Sequence, residues 1–246
     1  MTLLNLLACL LSLKKIYFID GMCYGGLTDW CFNENGDSRY CILYFNMETF
    51  HTTLSKWLEK RENTLFNNED DENRYVVECS DEYMGFLQCF IHEAVHVYDF
   101  INLISETKLE KYEPEFAKIW KNQTQTQPKY SSPILSKIAF YGFGDQTSVK
   151  NGKKLLDYLS KSPFVTFYSA KNVFDNYAEE ITMPYLYNQF GINYKVKYLK
   201  NGKVCSRFHR PQLHGRCTQE TPRFILHGDS PGTCRAGRGT VAHGRP

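Results

Sequence analysis

The chain lacks several things that would settle its class at once. It has no apolar run of 18 residues, so no stable membrane span is expected. It has no CxxC pair, which removes a four-thiolate zinc ribbon, and its 9 cysteines are an odd number that internal disulfides cannot fully pair. No internal repeat is found, and 16 Gly and 9 Pro in 246 residues are too few for a collagen-like or low-complexity chain. With 42% hydrophobic and 15% aromatic residues, the chain can instead bury a sizeable core. Residues 205–246 have neither lysine nor tyrosine and carry 7 Arg against 2 acids. Residues 1–204 hold 22 basic residues against 25 acids, so the net charge of +2 describes neither part. The part expected to fold is slightly acidic, and no nucleic-acid partner is expected.

Three regions follow. Residues 1–20 form an apolar N-terminal segment whose core, Leu3 to Leu13, has the length of an export signal. Lys14 and Lys15 follow that core instead of preceding it, and no A-x-A site comes after, so a first strand or helix accounts for it equally well. The localisation leans to export (secreted, periplasmic or lipid-anchored), with the cytoplasm left open. Residues 21–204 form the main domain. Residues 205–246 read as an Arg/Gly/Pro-rich tail, disordered or of different coding origin. Its Cys205, His209, His214 and Cys217 follow no zinc-module spacing. In an exported protein, Cys31 and Cys41 could close a loop across the Asn35-Gly36-Asp37 turn.

The coarse pattern is mostly helical with a few short strands. Strands are expected at 40–46 and 74–78, and a β-hairpin where Asn201-Gly202 separates 194–199 from 203–204. A helix over 49–61 would bury Leu54, Trp57 and Leu58 on one face. A second, over about 81–104, would be capped by Ser80 or Asp81, and a third is expected over about 106–121. Helical segments are also expected at 134–140 and 151–160, an extended run at 164–168, and a helix from about 172 that Pro184 limits or kinks.

The chemistry concentrates in His92-Glu93-Ala94-Val95-His96. On a helix the two imidazoles project one turn apart from one face, where both can bind one Zn²⁺. Glu93 is offset by one position, within reach of a proton on an attacking water. From Met84 to Ile104 the only formal charges are Glu93 and Asp99, and ionisable groups in so apolar a helix are costly unless they are paired or bind metal. Asp99 shares a stripe with His92 and His96 and is a candidate partner for a ligand imidazole. A catalytic zinc needs a third protein ligand and an open position. Cys89, three residues before His92, would close the site as a thiolate, and Asp145 in Gly-Phe-Gly-Asp reads as a turn residue. Two carboxylates, Glu179 and Glu180, lie in the otherwise apolar helical segment Phe174–Ile181.

HEAVHVYD followed by FVTFYSAKNVFDNYAEE resembles bacterial zinc metallopeptidases of the zincin type, which carry HExxHxxD and then F-V-S-x-Y-A…N…E-D-F-A-E. The likeness covers roughly residues 80–190. It implies an α+β, predominantly helical zincin-like metallopeptidase fold, with a small N-terminal sheet and the HExxH helix beside a cleft. It implies one catalytic Zn²⁺ held by His92, His96 and a later glutamate, with Glu93 as general base in peptide-bond hydrolysis of a protein or peptide substrate. The register places that glutamate at Glu179. Adjacent residues differ by about 100° around a helix, so only one can face the metal, and Glu180 is the rival. Asn176 stands where the family pattern has Asp, and Phe174 and Asp175 also depart from it. The family further implies an oxyanion-stabilising Tyr or His, for which Tyr177, Tyr185 and Tyr168 are all available, and with 17 tyrosines in the chain none is singled out. The alternative is a catalytically silent module of the same fold, with a structural metal or none.

Overall fold

The computed structural model describes residues 12–34, 36, 39–68, 70–102, 114–137, 139–209 and 235–236. It is a mixed α/β structure with two small sheets and, among the described residues, five α-helices.

The first sheet holds β1 (Leu13–Ile19), β2 (Gly26–Phe32) and β3 (Arg39–Asn46) in the order β1-β3-β2, with a two-residue β7 (Arg235–Ala236) beyond β2. β3 pairs parallel with β1 and antiparallel with β2. Its alternation sends Cys41, Leu43 and Phe45 into the core, the period-2 pattern of a half-covered sheet. The second sheet is antiparallel, with order β4 (Tyr75–Glu78), β5 (Lys195–Lys200), β6 (Lys203–His209). Asn201 (φ 51°) and Gly202 (φ 68°) both take left-handed backbone at its hairpin, as the Asn-Gly pair predicts.

The helices are α1 (Leu54–Asn63), α2 (Gly85–Ile101), α3 (Pro114–Ile119), α4 (Gly152–Lys161) and α5 (Val173–Phe190). α1 buries Leu54, Trp57 and Leu58 as its spacing predicts. α2 starts hard against it, because a Cβ at Gly85 would lie 2.5 Å from the Trp57 ring. α2 is sandwiched between the first sheet and helices α1 and α5. α4 closes the second sheet with Leu155, Leu156 and Leu159.

Several expectations need correction. α2 begins at Gly85 and has no side-chain cap, because Asp81 instead accepts a hydrogen bond from Thr53 (3.1 Å) and Ser80 one from the Glu82 amide (3.2 Å). Met47–Phe50 is a 3₁₀ turn, so the helix expected from 49 starts at 54. Of the helix over 106–121, Pro114–Ile119 is helical, and residues 103–113 lie outside the described ones. Residues 164–168 form no strand; Thr166 and Ser169 bond each other's backbone in a buried turn. α5 runs through Pro184 to Phe190, where Gly191 (φ 69°) ends it. Gly26–Phe32, for which no strand was expected, forms β2. Residues 13–19 of the N-terminal segment form β1, while 1–11 lie outside the described residues. The boundary drawn at 204 falls inside β6, whose Phe208 is buried, so the domain continues to at least His209. Cys31 is disulfide-bonded while Cys41 is a buried thiol, so the loop expected between them is not closed. No helix among the described residues is long and apolar enough to cross a membrane.

Candidate metal centre

α2 carries His92 and His96 one turn apart, with their Nε2 atoms 3.1 Å from each other. The N-terminus of α5 meets them. Asn172 caps this helix by accepting from the Asp175 amide (2.7 Å), and its Nδ2 donates to Asp175 Oδ2 (2.6 Å). With Oδ2 so held, Oδ1 is left 3.6 Å from each Nε2. Ligand atoms about 2.1 Å from a tetrahedral zinc would stand roughly 3.4 Å apart, close to all three separations. His92, His96 and Asp175 could thus hold a metal ion.

Glu179 is not part of that triangle. Its Oε1 lies 3.0 Å from the other ring nitrogen of His92, Nδ1, although off the line of a well-directed hydrogen bond. Asp175 and Glu179 are one turn apart on α5 and address opposite nitrogens of one imidazole. The adjacent Glu180 is only half-buried, turned away from this buried stripe. Glu179 is fixed by Gln88 (3.1 Å), Thr166 (2.8 Å) and the two guanidinium nitrogens of Arg61 (3.0 and 3.3 Å). Arg61 in turn holds Glu62 (2.7 Å), and its guanidinium lies over the Tyr168 ring.

This network sets the protonation states. Burial alone would raise the Glu179 carboxyl, but Arg61 and His92 overcome it and hold the group at about 2. Burial would lower the His92 imidazolium, yet the facing carboxylates of Asp175 and Glu179 lift it to about 10. Asp175 is likewise held well below its usual range against burial, by Lys171 and the two histidines. Glu62, Glu93, Asp175 and Glu179 are buried around Arg61 and His92, with Lys171 beside Asp175, and burial raises the Glu62 carboxyl.

Glu93, next to His92 in sequence, meets β2. Its Oε2 accepts from Thr28 Oγ1 on β2 (2.7 Å), and a Cβ at Gly26 would lie 2.6 Å from its Cγ. Gly25 is as tight against Cys89 and Trp57, so the Gly-Gly pair lets β2 press onto the HExxH helix. Glu93 and His92 line a small pocket that also holds Tyr24, Arg61, Tyr141 and Tyr168. Of the candidate tyrosines, Tyr168 lines this pocket, whereas Tyr177 packs on Phe116 and Tyr185 on Phe190. Asp99 is buried on α2, and Asp175 and Glu179 of α5 lie against the imidazoles. Cys89 hydrogen-bonds Gln88 (3.7 Å) and lies outside the triangle. Asp145 is exposed in a loop, and His214 and Cys217 lie outside the described residues.

No family model, no curated protein and no solved structure matches the chain.

Proposed function

We propose that the protein is a zinc-dependent peptidase on a zincin-like fold, with His92, His96 and Asp175 holding the ion and Glu93 acting as general base. The observation that carries this reading is the triangle of two Nε2 atoms and one carboxylate oxygen, 3.1 and 3.6 Å apart, beside the buried Glu93 of the same HExxH. When bound, zinc supplies a Lewis acid that polarises the scissile carbonyl and makes water a better nucleophile at neutral pH. Glu93 takes the proton of the attacking water and passes it to the leaving amine, while Thr28 fixes its carboxylate on β2. Glu179, anchored on Arg61, orients His92 so that Nε2 faces the ion. Burial keeps the Tyr141 and Tyr168 phenols far above their usual range, so both enter the pocket as hydrogen-bond donors.

The silent-module alternative requires no metal or a closed site, and the position of Cys89 outside the triangle argues against closure by its thiol. The deciding experiment is metal analysis of wild type and His92→Ala, followed by hydrolysis of casein by wild type and Glu93→Gln. One zinc per wild-type chain is expected, and none in His92→Ala. Glu93→Gln should keep its zinc and lose activity by about 10²–10⁴-fold. Full activity in Glu93→Gln refutes the mechanism, and a metal-free wild type refutes the function.

A further inference from the structure

We propose that a lysine-lined groove running up to the metal centre binds an acidic stretch of the polypeptide substrate, a reading that rests on the peptidase function proposed above. Between Phe116 and Gly144 the sequence has four lysines and no acid, in a chain whose first 204 residues are slightly acidic. That segment builds one wall of a groove, and Tyr158 of α4 with Ala170 and Lys171 builds the other. Its lining contains two ammonium groups, Lys121 and Lys171, several serine and threonine hydroxyls, and no carboxylate. Another surface depression, between α1 and residues 70–74, mixes Glu59, Asp70 and Asp71 with Lys56, Lys60 and Arg74.

The groove approaches the site at two points. Lys171 Nζ lies 3.8 Å from Asp175 Oδ2, on the far side of the carboxylate from the imidazoles. Phe140, on the groove wall, packs its ring 5.0 Å from that of Tyr168, which borders the Glu93 pocket. A peptide extended along the groove would bring its carboxylates past Lys121 and Lys171 and its backbone to Glu93. Lysines spread along a trough suit a run of carboxylates better than a single anion.

The test uses two fluorescein-labelled peptides, identical except for a central Glu-Glu-Glu or Gln-Gln-Gln. Their binding is measured by anisotropy on the zinc-loaded, full-length Glu93→Gln protein at low salt. The acidic peptide should bind about tenfold more tightly, with the preference shrinking as salt rises. Adding Lys121→Glu should cut that preference below twofold without weakening the glutamine peptide, whereas Lys118→Glu, outside the groove, should leave it intact. Equal affinities for the two peptides, or a preference that survives Lys121→Glu, overturns the proposal. So does a labelled oligothymidylate that binds more tightly than the acidic peptide and competes with it. The two readings fail separately. If wild type cleaves neither peptide but prefers the acidic one, the peptidase function falls and the groove stands; cleavage without preference does the reverse.

Discussion

Two carboxylates one turn apart on α5 flank a single imidazole, and their proposed roles differ: Asp175 binds the ion and Glu179 supports His92. Zinc-induced thermal stabilisation separates the two roles. At zinc one hundred times its Kd, wild type should gain about 2.7 kcal/mol, which for a chain of this size is roughly 5–11 °C in Tm. Asp175→Asn removes a ligand and should weaken binding at least about 100-fold, the upper end of what loss of a supporting group costs. At the same zinc concentration the gain then falls to about 0.4 kcal/mol, roughly 1–2 °C. Glu179→Gln keeps all three ligand atoms but loosens His92, so a tenfold weaker Kd leaves about 1.4 kcal/mol, roughly 3–6 °C. The same substitution takes one of two carboxylates from Arg61, which is 3% exposed. The metal-free protein should therefore lose up to about 3–5 kcal/mol, the cost of breaking a buried ion pair. Scanning calorimetry of both variants, with and without zinc, reads all four quantities. If Glu179→Gln abolishes the zinc shift while Asp175→Asn keeps it, the ligand assignment is wrong.

Two further outcomes test the surroundings of the site. Gly26→Ala would place a Cβ 2.6 Å from Glu93 Cγ and 2.8 Å from its Oε1; with the base displaced by about 1 Å, kcat should fall about 100-fold while zinc content stays at wild type. Unchanged kcat would show that the close approach of β2 does not position the carboxylate. With a thiol reagent at pH 8 and peptide mapping, exposed Cys23 and Cys205 should be labelled, and half-buried Cys79 and buried Cys89 should not until the protein unfolds. Burial pushes the Cys79 thiol up to about 12 and raises Cys89 as well, leaving almost no thiolate at that pH. Rapid labelling of either in the folded protein would contradict their burial.

The parts that were legible in the sequence are those set by local pattern. HExxH inside an apolar helix, the Asn201-Gly202 turn and the buried stripe of α1 each follow from neighbours within a few residues. The third carboxylate does not. Asp175 and Glu179 lie on one face of α5, and which of them meets which nitrogen depends on how α5 crosses α2, a tertiary fact. One local signal was nevertheless present: Asn172-x-x-Asp175 is a capping pair, and an aspartate so held at the third position of a helix has a fixed direction. Arg61 also left a trace. It falls in phase with Leu54, Trp57 and Leu58, and a charge in register with an apolar face asks for a buried partner. β2 was hidden because its residues are recruited by pairing with β3 and by the approach of Gly25 and Gly26 to α2, neither of which leaves a strong mark in its own short sequence.

The metal centre is assembled from two distant stretches of chain, with Asp175 lying 79 positions after His96. In folding terms its ligands cannot meet until α5 has docked on α2 and closed a long loop, a step that costs about 4–5 kcal/mol of chain entropy for a loop of that length. Contacts of such sequence separation form late, after local helices and the β5–β6 hairpin. Zinc bound there would then act mainly on the return journey, slowing escape from the native state more than it speeds arrival. A bound ion would thus be a latch on the folded chain, holding α5 against α2.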